Sequence, residues 1–201
     1  MHVCDCNGVM SIVAASVLVP LLRDARLGPT IPVRLATLNE RLKAYYIAHP
    51  GLPRLPELRR TNMYNEQGWA CLSGSVVKAA NTRALRGWLV ELCAEFYAGP
   101  SENDRLVTRA VGALDRFYSV LYENDMILTA AVQGVLRRAI LQFGTCLQDL
   151  RELSRSRGEL LWQITPKCHY FQHLPELAAC VNPRWVQKYT NGSHAGSITR
   201  I

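Results

Sequence analysis

The sequence predicts an all-α fold: an irregular bundle of about five to seven helices, with long helices packed antiparallel through short connections. Apolar residues recur at helical spacing over several long stretches, which is the period of an amphipathic helix. Gly-Pro and Asn-Asp pairs interrupt these stretches, and no useful length of chain alternates apolar and polar residues as a strand would. We therefore expect a single helical domain over residues 1–201.

Two helices are predicted in the first quarter of the chain. The first runs from Val9 to Arg23 and is apolar on all sides, which is typical of a buried helix. Its apolar run of 14 residues contains Pro20 and is shorter than the roughly 20 residues that span a bilayer, so we expect no membrane partner. The second helix runs from Val33 to Ala48 and ends at a His-Pro-Gly sequence.

A long loop occupies residues 50–69, with three prolines and two asparagines. A structureless connection of this length is uncommon in a compact domain. We therefore expect this loop to pack along the surface or to carry function.

Four more helices are predicted beyond the loop. Three of them run from Ser75 to Tyr97, from Arg105 to Glu123 after an N-terminal capping sequence, and from Thr129 to Ser156. The fourth begins near Pro166, because proline is favoured in the first turn and Thr165 before it is a suitable cap.

The chain carries a formal charge of +7, from 23 lysines and arginines against 16 acids. Nineteen of the basic residues are arginine, and its planar guanidinium suits phosphate, so nucleic acid is a candidate partner. The alternative is an ordinary solvated surface, since no tract rich in lysine and arginine occurs. Seven cysteines without a regular framework indicate free thiols and an intracellular location, with the nucleus left open.

The stretch ITPKCHYFQHLPEL places His169 and His173 four residues apart, on one face of the predicted helix. We favour structural histidines at the edge of the core. The alternatives are a metal site completed by further ligands, an acid/base pair, or a contact with DNA. No resident metal or cofactor is predicted.

Four basic residues are candidates for binding a phosphate backbone. Lys78, Arg83 and Arg86 share an early helical segment, and Lys167 precedes the first histidine. Solvated surface charges are the alternative interpretation.

In their order along the chain, these segments resemble the C-terminal part of transposon-derived proteins related to DDE-type transposases of the CACTA-like classes. Residues 1–8 then correspond to a remnant of an upstream catalytic strand. The matching positions are Met1, His2, Asp5 and Gly8 in a first motif, Lys78, Thr82 and Arg83 in a second, and Lys167, His169 and His173 in a third.

The resemblance implies phosphoryl-transfer chemistry in which carboxylates hold Mg²⁺ or Mn²⁺. It assigns candidate catalytic roles to Asp5, His169 and His173. The last motif departs from the family, because no Asp or Glu is present after Glu176, and Thr190 stands after Tyr189 where the family carries an acid. Hard cations prefer charged oxygen ligands, so we expect a truncated or degenerate copy without catalytic competence.

Three functions are consistent with these observations. The first is a transposase-derived helical protein, catalytically incompetent, that retains non-specific binding of nucleic acid. The second is a metal-dependent nuclease or strand transferase that uses Asp5 with His169 or His173. The third is a helical protein-interaction module whose loop at residues 50–69 meets an unknown protein partner.

Overall fold

The computed structural model describes residues 8–75, 77–179 and 181–186. The regular elements in this part of the chain are nine α-helices and two 3₁₀-helices of three residues each. Pairing between extended segments is limited there to one isolated bridge, Tyr64 with Ala70. The predicted all-α class is therefore confirmed. The helices are α1 (Val9–Leu21), α2 (Ile31–Ala48), α3 (Ala79–Ala84), α4 (Arg86–Phe96), α5 (Glu102–Glu123), α6 (Ala130–Ser156), α7 (Pro166–Gln172), α8 (Leu174–Ala178) and α9 (Pro183–Val186).

Helix α1 is the centre of the core. All of its residues except Pro20 are buried, as expected of a helix that is apolar on every side. Its polar groups find partners in the surrounding segments: Trp162 N donates to Ser16 Oγ at 2.9 Å, and Tyr97 Oη donates to Val17 O at 2.7 Å. Among the described residues, no helix is both long and apolar enough to cross a membrane.

Helices α5 and α6 form the most extensive helix–helix contact. Ser101 and Thr129 cap their first turns through side-chain oxygens, as N-cap residues do. Beyond the end of α6, Arg157 donates to Asn103 at 3.2 Å, so this end lies beside the start of α5. On the apolar side of the pair, α5 contacts α1 and α4, and α6 contacts α7 and α8.

The segment after α2 packs against that helix. Leu55, Leu58 and Met63 are buried. The side chain of Asn39 makes paired hydrogen bonds to the backbone of Leu58, at 2.8 and 2.9 Å, and Leu55 N donates to the Tyr46 hydroxyl. These contacts replace the backbone ladder that a segment rich in proline cannot form.

The helix predicted from Ser75 to Tyr97 is wrong in its start and its continuity. Lys78 has an extended backbone, and the helix begins only at Ala79. Leu85 N bonds to Thr82 O, three residues back, so a tighter turn separates α3 from α4. A Cβ added at Gly87 would lie 2.6 Å from the hydroxyl of Tyr45, so glycine at this position allows α2 to approach α4 closely.

Candidate functional site

His169 lies in the short helix α7 and His173 is the C-cap residue of that helix, which is anchored by its other face. Cys168 and Phe171 of α7 are buried, and the ring of Phe171 packs edge-on against Phe117 and Phe143, with centroids 4.7 and 5.4 Å away. Pro166 stands in the first turn, as the sequence predicts. Because this face is held in the core, the residues between the anchors are turned outward.

His169 and His173 lie side by side on this exposed face. Their Nε2 atoms are 3.2 Å apart, and the rings meet edge to face with centroids 4.6 Å apart. The Nδ1 atom of His173 lies 3.2 Å from Oε1 of Glu176. Both histidines are exposed to solvent. The sequence favoured structural histidines at the edge of the core.

The described residues contain no cluster of three or more His, Cys, Asp or Glu side chains able to hold a metal ion. Cys168 turns inward, with its Sγ 3.6 Å from the hydroxyl of Thr165 and 3.8 Å from the carbonyl oxygen of Gln163. Asp5, the carboxylate that the resemblance pairs with the histidines, lies outside the described residues, and so does the segment after Val186.

The four predicted phosphate-binding residues have different surroundings. Lys78 is exposed at the N-cap of α3, and Lys167 is half-buried in the first turn of α7. Arg83 lies 5.5 Å from the ring centroid of Tyr122. Arg86 bridges α4 to α5, with one guanidinium nitrogen 3.3 Å from Ser119 Oγ and 3.6 Å from a carboxylate oxygen of Asp115.

The structure brings Arg83 into a cation–aromatic layer that the sequence did not predict. Arg184 lies on the same ring of Tyr122, 4.4 Å from its centroid, and 5.5 Å from the ring of Trp185. This layer joins α3, the end of α5 and α9. The sequence carried no signal for it, because the two arginines are far apart along the chain.

A second basic surface, also missed by sequence reasoning, is the groove between α5 and α6. It has a volume of about 470 Å³ and no acidic lining residue. Arg109, Arg116 and Arg138 line it, and all three side chains are exposed. We call this surface the arginine groove. The sequence did contain a signal for this surface, since Arg109 and Arg116 are seven residues apart and therefore share a face of α5.

The arginines of the groove lack the carboxylate partners that several of the chain's other structured arginines have. None of the three makes a hydrogen bond or an ion pair with another described residue, whereas Arg26 is bound by Asp24 at 2.6 Å and Arg41 by Glu95 at 2.6 Å. Within the described part of the chain, the groove is therefore a strip of unpaired positive charge.

Four cysteines lie in the described segments. None of Cys71, Cys93, Cys146 and Cys168 forms a disulfide and all four are buried, as predicted. Burial raises the pKa of Cys93 to about 12, and burial also raises the pKa of Cys146 against the opposing charge of Arg109. Reactive cysteines have the opposite property, a lowered pKa at an accessible site.

Comparison with known proteins returns no relative. The chain matches no protein-family model, and no curated protein or solved structure is significantly similar to it. Function is therefore inferred from the sequence motifs, the fold and the side chains of the described residues.

Proposed function

We propose that this chain is a helical protein of transposase descent that binds the backbone of nucleic acid without sequence preference and without catalysis of its own. We further propose that it acts inside the cell, with the nucleus as the compartment of its partner. The observation that carries the binding proposal is the arginine groove, with its three exposed guanidinium groups and no acidic lining.

The spacing of the groove residues suits a polyanion. Arg109 and Arg116 are seven residues apart on α5, which is about 10 Å along a helix axis, and Arg138 faces them from α6. A duplex carries one charge per about 1.7 Å of its length, so a strip of this size meets several phosphates. Arginine donates hydrogen bonds to phosphate in a planar fork.

The local charge balance favours the arginine groove as the phosphate-binding surface over the basic residues that the sequence predicted for this role. The net charge of +7 is unevenly distributed over the surface, because several arginines form ion pairs with carboxylates and others do not. The guanidinium of Arg86 is already engaged by Asp115 and Ser119, which favours a structural role for it. Contacts from arginine to phosphate carry no sequence information, so the expected binding is non-specific.

The absence of catalysis is proposed on ligand chemistry. The motif after Tyr189 reads Thr190, Asn191 and Gly192, where the resembled family carries a carboxylate. Magnesium and manganese require oxygen ligands, preferably charged, and neutral side chains bind them poorly. We therefore expect no nicking of supercoiled DNA in Mg²⁺ or Mn²⁺, with Asp5→Asn behaving as the parent chain. Metal-dependent nicking lost in that variant would instead support the nuclease or strand transferase.

The binding proposal is tested with two variants of equal charge. One replaces Arg109, Arg116 and Arg138 by glutamine, and the other replaces Arg54, Arg59 and Arg60, which are exposed but do not line the groove. At about 0.5 kcal/mol per exposed charge contact, the groove variant weakens binding of a random duplex by roughly tenfold, measured by fluorescence anisotropy. The second variant shows only the smaller loss that its changed net charge causes.

Equal losses in the two variants would mean that general charge attraction, rather than the groove, holds the nucleic acid. Absent binding by the parent chain at low salt would remove the proposal. The protein-interaction alternative would then be favoured, and deletion within residues 50–69 would be its first test.

A further inference from the structure

We propose that His169 and His173 form a two-nitrogen surface site for a divalent cation of borderline softness, namely Zn²⁺, Ni²⁺ or Cu²⁺. The proposal is independent of nucleic-acid binding and of the transposase resemblance. It rests on the geometry of the two rings, on the partner of one of them and on the rigidity of the helix that carries them.

The two Nε2 atoms converge. They are 3.2 Å apart although the ring centroids are 4.6 Å apart, so each nitrogen lies on the side of its ring that faces the other. The residues are spaced i, i+4, which stacks them one turn apart on a helix. In a neutral imidazole the nitrogen without a proton has one lone pair available to a metal.

The separation agrees with what one cation requires. Zinc lies about 2.0–2.1 Å from a histidine nitrogen. Two such bonds at a tetrahedral angle place the nitrogens about 3.3–3.4 Å apart, and at a right angle about 2.9 Å apart. The 3.2 Å between His169 and His173 falls between these values. A bound ion would therefore require only a small ring rotation.

Glu176 prepares His173 for this role. Its Oε1 atom lies 3.2 Å from Nδ1 of His173, where it accepts a hydrogen bond when that nitrogen carries the proton. Nε2 is then left as an acceptor, aimed at the neighbouring ring. The same arrangement of carboxylate, histidine and metal is general in protein zinc sites, where the carboxylate fixes the ring and raises its basicity.

The backbone beneath the pair is held in place, which reduces the entropy lost on binding. Phe171, between the two histidines, is fully buried against the rings of Phe117 and Phe143. The site is thus partly pre-organised before any ion arrives.

The chemistry of the pair selects the ion. Imidazole nitrogen suits zinc, nickel and copper, whereas magnesium and manganese prefer oxygen. No third protein ligand is present among the described side chains, so water completes the coordination and the ion exchanges readily. We expect weaker binding than at a structural zinc site, which has four protein ligands.

The test is calorimetric titration of the untagged chain with NiCl₂ in the presence of a non-thiol reductant. The parent for all measurements is a His2→Ala, Cys4→Ser, Cys6→Ser chain, because those three residues offer a competing set of ligands. His173→Ala is expected to weaken nickel binding at least tenfold. Glu176→Gln is expected to weaken it by roughly tenfold, the lower end for loss of a carboxylate that orients a metal ligand.

His49→Ala is the matched control, since His49 is also exposed but lies against Tyr45 rather than another histidine. This control is expected to bind nickel as the parent does. Thermal melts establish that each variant is folded. No binding by the parent at millimolar nickel, or unchanged affinity in folded His173→Ala, would overturn the proposal and leave the pair as a hydrogen bond between two rings.

Discussion

Replacing Phe171 by alanine is the sharpest test of how α7 is held in the fold. The side chain is 0% exposed and packs edge-on against Phe117 at 4.7 Å and Phe143 at 5.4 Å. Removing a fully buried phenylalanine costs about 3–5 kcal/mol, from lost transfer free energy and the cavity left behind. The two aromatic contacts place this site in the upper half of that range, since each edge-to-face pair adds roughly 0.5–1.5 kcal/mol.

The assay is urea unfolding followed by circular dichroism, with Tyr170→Ala as the control. Tyr170 is the preceding residue and is 61% exposed, so its removal is expected to change the free energy of unfolding by less than about 0.5 kcal/mol. A loss below about 1 kcal/mol in Phe171→Ala would refute the packing described for α7. It would also weaken the case for a histidine pair on a rigid support.

Three further predictions concern other parts of the core. Tyr97→Phe removes the buried hydrogen bond to Val17 O and is expected to lower the free energy of unfolding by about 1–1.5 kcal/mol in urea titrations; an unchanged value would contradict that bond. Cys93 has a pKa raised by burial to about 12, so its contribution to stability is present below the ordinary thiol value of 9.0 and is lost as the pH rises toward 12. Urea titrations across that alkaline range are expected to show a shallower loss in Cys93→Ala than in the parent; equal slopes would contradict the shift. Arg86→Met is expected to lower stability by about 1–2 kcal/mol, because Asp115 and Ser119 lose their partner, and to leave the salt dependence of DNA binding unchanged; a lower salt slope would assign Arg86 to the interface.

Much of the fold could be predicted because its signals are local. The uniformly apolar α1 and the capping residues Ser101 and Thr129 each act within a few residues, and the structure contains helices at these positions. The break at Leu85 and the close approach of Tyr45 to Gly87 were both missed, and the second joins segments that are distant along the chain.

The candidate sites depended more on tertiary structure. The i, i+4 spacing of His169 and His173 predicted that they would share a face, but their exposure and the position of Glu176 depend on how Phe171 is buried. The charge of Arg86 suggested phosphate binding, whereas its surroundings include Asp115, 29 residues away. For the arginine groove, the sequence places Arg109 and Arg116 on one face of α5, but periodicity does not show that Arg138 of α6 lies beside them.

The central claim is that the arginine groove holds a phosphate backbone, and the salt dependence of duplex binding tests it most directly. The logarithm of the binding constant falls with the logarithm of salt concentration by about 0.9 per phosphate contact on B-DNA. Loss of Arg109, Arg116 and Arg138 is therefore predicted to reduce the slope of the parent chain by about 2.7. An identical slope in the parent and the groove variant would contradict the claim, because the three guanidinium groups would then contact no phosphate.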